Sequence, residues 1–198
     1  MLNKILLYTC VFLFSFNSYS QKEGWLIGHA QVIEQAEKEN KPIMVNFTGS
    51  DWCGWCIRLD KAVFQTNEFK KWAKENVILL EIDNPKRTTL SKIYGLSEED
   101  GKKLKNENDY FQNLFQVRGF PTVYVFSVSK RDDGKMSITT ETSGPYSCRM
   151  GYMPSATEFI KKANENIKRL AIIEKALEIN IDCTYLSNEQ CEEAIKKQ

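Results

Sequence analysis

The sequence predicts an α/β fold in which a central mixed β-sheet is flanked by helices. Three observations carry this. Short apolar, partly β-branched runs at 42–47 (PIMVNF), 77–83 (VILLEID) and 122–128 (TVYVFSV) read as buried strands. A stretch of helical periodicity separates the first two, and a strand–helix–strand unit requires a parallel pair. The alternating run MSITTET from Met136, preceded by the hairpin signal Asp132-Asp133-Gly134, adds an antiparallel edge.

In chain order, residues 1–20 read as a secretory leader. Lys4 gives a positive start, 5–14 (ILLYTCVFLF) are almost wholly apolar, and SYS precedes Gln21. Polar Ser15, Asn17 and Ser18 come too early for a span of about 20 apolar residues, so cleavage near Ser20-Gln21 and a periplasmic destination are expected. Residues 30–39 are rich in helix formers and end at Asn40-Lys41-Pro42. After strand 42–47, apolar positions 56, 59, 62, 63, 69, 72 and 73 fit a helix with a break near Thr66-Asn67. A long polar stretch follows strand 77–83, with helical pieces at 98–105 and 109–115. A long helical pattern covers 155–179, and a short one opened by Ser187-Asn188 covers 187–197.

Composition excludes some functions. Losing Lys4 with the leader would balance the 27 basic against the 26 acidic side chains. The charge runs between 86 and 110 are mixed in sign, so neither a nucleic-acid stripe nor a polybasic membrane patch is expected.

The chemistry lies in GSDWCGWC, 49–56. Cys53 falls where the loop after the first strand meets a helix, and free amide N–H groups at a helix start stabilise a thiolate. The thiolate is the nucleophile of disulfide exchange, and Cys56, one turn on, can resolve the mixed disulfide. A structural zinc site would need four Cys or His ligands. The chain has one His, His29, read here as a surface or cap residue, and its other cysteines are scattered. No metal and no cofactor is expected. Cys183 and Cys191, eight apart, are expected to pair in an oxidising compartment, pinning the last short helix. Cys148 is left over, either as a semi-buried free thiol or as a third redox cysteine.

VRGFPTVYVF, 117–126, sets a proline immediately before a buried strand. Together with PIMVNFTGSDWCGWC it resembles the thioredoxin superfamily over roughly 30–165, and within it the exported proteins with a DWCGWC motif. The resemblance implies a thioredoxin-like fold, to which the extra length before Pro121 adds a helical insertion and the helical pattern beyond 165 a C-terminal helical tail. It implies that Pro121 is cis and packed against Cys53, leaving nearby backbone groups free for an extended peptide. Trp52, Gly54, Trp55, Phe120, Pro121 and Thr122 then become candidate substrate contacts, and Gly151-Tyr152 should lead into the last helix close to the active site. The expected divisions are 1–20 leader, 21–165 thioredoxin-like domain with an insertion at about 84–110, and 166–198 helical extension.

Two departures matter. Many thioredoxins carry a buried aspartate in the first core strand that assists proton transfer near the second cysteine; the matching position is Asn46, which cannot act as acid or base. Water, or Asp51 and Asp60 from the surface, would have to substitute. The dipeptide Gly54-Trp55 leaves the direction of exchange open. In the stretch before Pro121, Tyr94, Leu96, Tyr110, Phe111, Leu114 and Phe115 form either a packing cluster or a partner surface.

The leading expectation is an exported thiol–disulfide oxidoreductase acting on protein thiols and disulfides, with a membrane electron donor or acceptor as a further partner and no nucleic acid. The alternative is a thioredoxin-fold peptide-binding module, a chaperone or assembly factor with little redox turnover. The intact CxxC argues against the alternative.

Overall fold

A computed structural model describes residues 22–130, 136–142 and 146–197. The expected leader and the hairpin signal at 132–134 lie outside the described residues. The elements are β1 (Trp25–Leu26), α1 (His29–Glu39), β2 (Ile43–Thr48) and α2 (Gly54–Leu59), which runs into a π-helical turn (Asp60–Phe64). Then come α3 (Asn67–Asn76), β3 (Ile78–Asp83), α4 (Leu90–Tyr94) and α5 (Glu98–Leu114). β4 (Thr122–Lys130), β5 (Met136–Thr139), β6 (Arg149–Met150), α6 (Ala156–Glu178) and α7 (Asn188–Lys196) complete the order.

The sheet runs β1-β3-β2-β4-β5. β2 and β3 pair in parallel from Ile43↔Ile78 to Thr48↔Asp83, and β4 lies antiparallel on the other side of β2. β5 and β6 share the far edge of β4, at Ser127–Lys130 and Val123–Tyr124. Every residue of β2 and β3 is buried, as expected for strands covered on both faces.

The pleat sends alternate residues to opposite layers. Ile43, Val45 and Phe47 with Ile78, Leu80 and Ile82 pack against α1 and α5. Met44 and Leu79 face the other way, into the layer that holds Leu59, Val63, Phe69 and Phe159. Asn46 shares the face of Met44, and Glu81 and Asp83 share that of Leu79, so three polar side chains lie on the α2 side. α6 covers this face with a stripe at helical spacing, Ala156, Phe159, Ala163 and Leu170. Thr66 caps α3 at the anticipated break.

The structure departs from expectation in five places. The two pieces at 98–105 and 109–115 are one helix, α5, started by the Ser97 cap with three acidic residues in its first turn. Its polar middle carries Asn108, which is buried and donates to the Asp83 carbonyl, so the interruption in apolar pattern marks a satisfied interior amide. α4, β1 and β6 were not anticipated, being too short to show a period. His29 is not at the surface: it is buried, its Nε2 lies 2.9 Å from Asn108 Oδ1, and its ring meets Phe111 edge-on at 4.4 Å. Burial lowers its pKa.

α5 sits close to α4. A Cβ at Gly101 would come within 2.8 Å of Ser91 Cβ and 2.9 Å of its backbone nitrogen, which explains a glycine inside the helix. Phe111 and Phe115 belong to the core over β4, and Tyr94 is buried, whereas Tyr110 and Leu114 are exposed. The cluster expected in this stretch therefore divides between packing and surface. α6 passes position 165 without a break, and beyond Leu170 its stripe turns to Ile172 and Ala176, against Cys183 and Cys191.

Candidate active site

Cys53 is the N-cap of α2, with extended backbone, and its Sγ accepts from the Cys56 amide at 3.2 Å. The two sulfurs are joined, with Cα atoms 5.3 Å apart, so the structure holds the oxidised form of the pair. Both cysteines are largely covered by protein, and the difference between them lies in the amide aimed at Cys53.

The Phe120–Pro121 peptide is cis. Phe120 meets the Trp52 ring edge-on at 5.7 Å, which ties the proline loop to the residue before Cys53. Thr122, grouped above with substrate contacts, is buried, and its hydroxyl donates to the Gly119 carbonyl at 2.8 Å. Its side chain braces the loop from inside. Gly54 is exposed, and Trp55 is 52% exposed, packed against Tyr152 at 4.8 Å. That contact brings the Gly151-Tyr152 segment to the pair.

A lattice of polar contacts holds the approach to Cys53. Ser50 donates from its amide (2.8 Å) and its hydroxyl to the Asp83 carboxylate. The Asp51 carboxylate accepts from the amides of Lys86 (3.0 Å), Arg87 (2.6 Å) and Thr88 (3.1 Å). Trp52 Nε1 donates to the Asn84 carbonyl at 2.8 Å, and a Cβ at Gly49 would fall 2.5 Å from the Trp52 ring. Residues 83–88 thus fasten the DW of the motif, so the start of the polar stretch is part of the site. Asp51, considered above for proton transfer, is instead a clamp on three amides. These bonds hold its pKa down against the opposing effect of desolvation.

Asn46 is buried and its Oδ1 has no hydrogen-bond partner among the described residues. Beside it in register is Glu81, buried and ion-paired with Lys22, which also reaches Asp60 at 3.0 Å. Asp60 is the residue at which α2 passes into the π-helical turn, and this pairing takes up its carboxylate. Burial raises the Glu81 carboxyl above its ordinary range, and Lys22 pulls back against that. Burial alone would lower the Lys22 ammonium, but Glu81 and Asp60 carry it above its ordinary value. Tyr94 also donates to Glu81, at 3.2 Å. Sequence reasoning missed Lys22, Glu81, Asp83 and Lys86; the two acidic residues in the second half of the buried run ILLEID were the available signal.

Cys183 and Cys191 form a second disulfide, and Cys148 is a free thiol with no exposed surface. Burial pushes the Cys148 thiol up to about 11, which suits an inert core thiol and not a third redox cysteine. Arg169 anchors this end: it pairs with buried Glu141 at 2.9 Å and donates to the Cys183 carbonyl at 2.6 Å.

Residues 30–137, more than half the chain, match the family of thioredoxin-like domains. The chain belongs to that family. This thioredoxin-like protein is 25% identical over 141 residues to the disulfide bond reductase DsbH of Chlamydia pneumoniae, covering 71% of this chain and 70% of that protein. It is 19% identical over 159 residues to the thioredoxin-related protein DsbJ of the same organism, covering 80% of this chain but only 43% of DsbJ. A solved DsbH oxidoreductase superposes with a TM-score of 0.55 at 26% identity, over 76% of this chain and 88% of that one. No described helix is long and apolar enough to cross a membrane.

Proposed function

We propose that this chain is an exported protein-disulfide oxidoreductase in which Cys53 attacks and Cys56 resolves. The observation that carries the reading is the Cys53 sulfur at the N-cap of α2, 3.2 Å from the Cys56 amide. A thiolate at that position gains a hydrogen bond and the favourable end of the helix.

In the reducing direction the Cys53 thiolate displaces one sulfur of a substrate disulfide, leaving a mixed disulfide and a substrate thiolate. Cys56, deprotonated, then attacks the Cys53 sulfur, forms the Cys53–Cys56 bond and releases the second substrate thiolate. Two electrons pass from the dithiol to the substrate. The reverse sequence oxidises a dithiol. The name of the reductase relative DsbH supports the reducing direction. Trp52, Trp55, Phe120 and Pro121 frame the sulfur and supply the surface on which a polypeptide rests. The charged, apolar and small-residue pattern of 1–20 supports export, a second disulfide supports an oxidising destination, and a membrane partner would restore the pair.

Reduction of insulin disulfides by the mature protein, beside a Cys53→Ser control, tests the reading. Turnover that vanishes in the control is expected. Turnover equal to the control would leave a peptide-binding module.

A further inference from the structure

We infer that the mouth of the Cys53–Cys56 site selects polypeptides that carry Asp or Glu next to the reactive cysteine. This rests on the proposed oxidoreductase reading and adds the substrate class. The geometry begins with two cations laid on the two tryptophans of the motif. Lys86 Nζ lies 3.8 Å from the centre of the Trp52 ring, and Arg58 Cζ lies 4.7 Å from that of Trp55. The rings belong to the residues on either side of Cys53 and Gly54, so the cations bracket the sulfur.

Neither cation has a carboxylate within ion-pair distance among the described residues. Arg87, beside Lys86, and Arg118, two residues before Phe120, are exposed and equally free of one. The carboxylates of the same segments are engaged elsewhere: Asp51 with three backbone amides, Asp83 with Ser50, Asp60 with Lys22. These carboxylates keep their charge, but the four exposed cations Lys86, Arg87, Arg58 and Arg118 outnumber the partly covered Asp51 and Asp60 beside the pair, a local excess in a chain whose basic and acidic residues number 27 and 26. A cation on an aromatic face keeps its full charge while losing part of its freedom, so less order remains to be imposed when a carboxylate arrives. Charges at the rim of a site act on encounter and on register, and salt screens them.

The test uses the reduced mature protein and three disulfide-linked fluorogenic peptides of one length, whose cysteine is flanked by Asp/Glu, by Ser/Gly or by Lys/Arg. Hydroxyethyl disulfide, small and uncharged, reports whether the dithiol works at all. The expected order of the second-order rate constant for single-turnover oxidation of the dithiol is acidic, neutral, basic, with roughly tenfold between the extremes at low salt, shrinking to about twofold at 0.5 M salt. Lys86→Gln with Arg58→Gln should bring the acidic-to-basic ratio close to one, and Lys86→Glu with Arg58→Glu should invert it. Equal rates for the three peptides, with hydroxyethyl disulfide still reduced, overturn this inference and leave the oxidoreductase reading standing. A ratio untouched by the glutamine pair overturns it as well. Failure to reduce any of the four overturns the reading beneath it.

Discussion

Glu141→Ala removes one half of an ion pair whose side chains are only 7% and 4% exposed. Arg169 then keeps its bond to the Cys183 carbonyl at 2.6 Å and a long one to Asn188 at 3.4 Å, but its charge is left in the interior without a counter-ion. Breaking a buried pair from one side costs about 3–5 kcal/mol, well above the loss of an exposed pair. For a chain of this size that corresponds to a drop in Tm of roughly 6–20 °C. Arg169→Met with Glu141→Leu removes both charges and refills the space, and should return the protein to within about 1 kcal/mol of wild type or above it. Guanidinium chloride unfolding of wild type, Glu141→Leu, Arg169→Met and the double variant closes the double-mutant cycle, with Glu141→Ala measured beside them, provided the slope stays constant across the set. A Glu141→Ala cost below about 1 kcal/mol, or a double variant as unstable as the single, would refute the claim that this pair clamps the tail to the β5–β6 edge.

In the reduced protein, iodoacetamide should label Cys53 before Cys56 at low pH, because only Cys53 sits at the helix cap; preferential labelling of Cys56 would reverse the assigned roles. Burial lifts the Cys148 thiol from 9.0 to about 11, so the stability it contributes is complete below pH 9 and is lost as pH rises toward 11. Cys148→Ala should flatten that part of an alkaline unfolding profile, and an unchanged slope would remove the explanation. Gly49→Ala would place a Cβ 2.5 Å from the Trp52 ring, so insulin reduction should fall roughly tenfold as the ring before Cys53 shifts, while α6 and the tail stay folded. Wild-type turnover in that variant would show that Trp52 need not be held. Cys183→Ser with Cys191→Ser should cost about 2–3 kcal/mol in tail docking and leave reduction intact, since the closed loop is short and distant in the fold; loss of activity would tie the tail to catalysis.

The chain order of strands and helices, the α2 start at Cys53 and the tail disulfide were legible without coordinates. Each depends on local pattern: continuous apolar runs for strands buried on both faces, helical periodicity after Cys53, cap residues at Thr66 and Ser187, and cysteine spacing in an oxidising context. The proline loop came from the resemblance to the thioredoxin superfamily, carried by FPT before a buried strand together with the CxxC segment. Elements of two to five residues, β1, β6 and α4, carry too few positions to show a period, and α5 looked divided because Asn108 breaks its apolar stripe while being satisfied in the interior.

Only the tertiary structure decided what the charged residues do. Asp51, Asp60, Glu81 and Asp83 are equivalent as letters, yet Asp51 clamps three amides, Asp83 holds Ser50, and Asp60 and Glu81 share Lys22 across 38 and 59 positions of sequence. The same folding moved His29 from an expected surface place to a buried one beside Asn108, and brought Lys86 onto Trp52 from a stretch that reads as plain solvated polarity. The reason is physical: burial of apolar side chains is encoded residue by residue along the chain, whereas the partner of a charge is whichever group the packed backbone brings within a few ångströms.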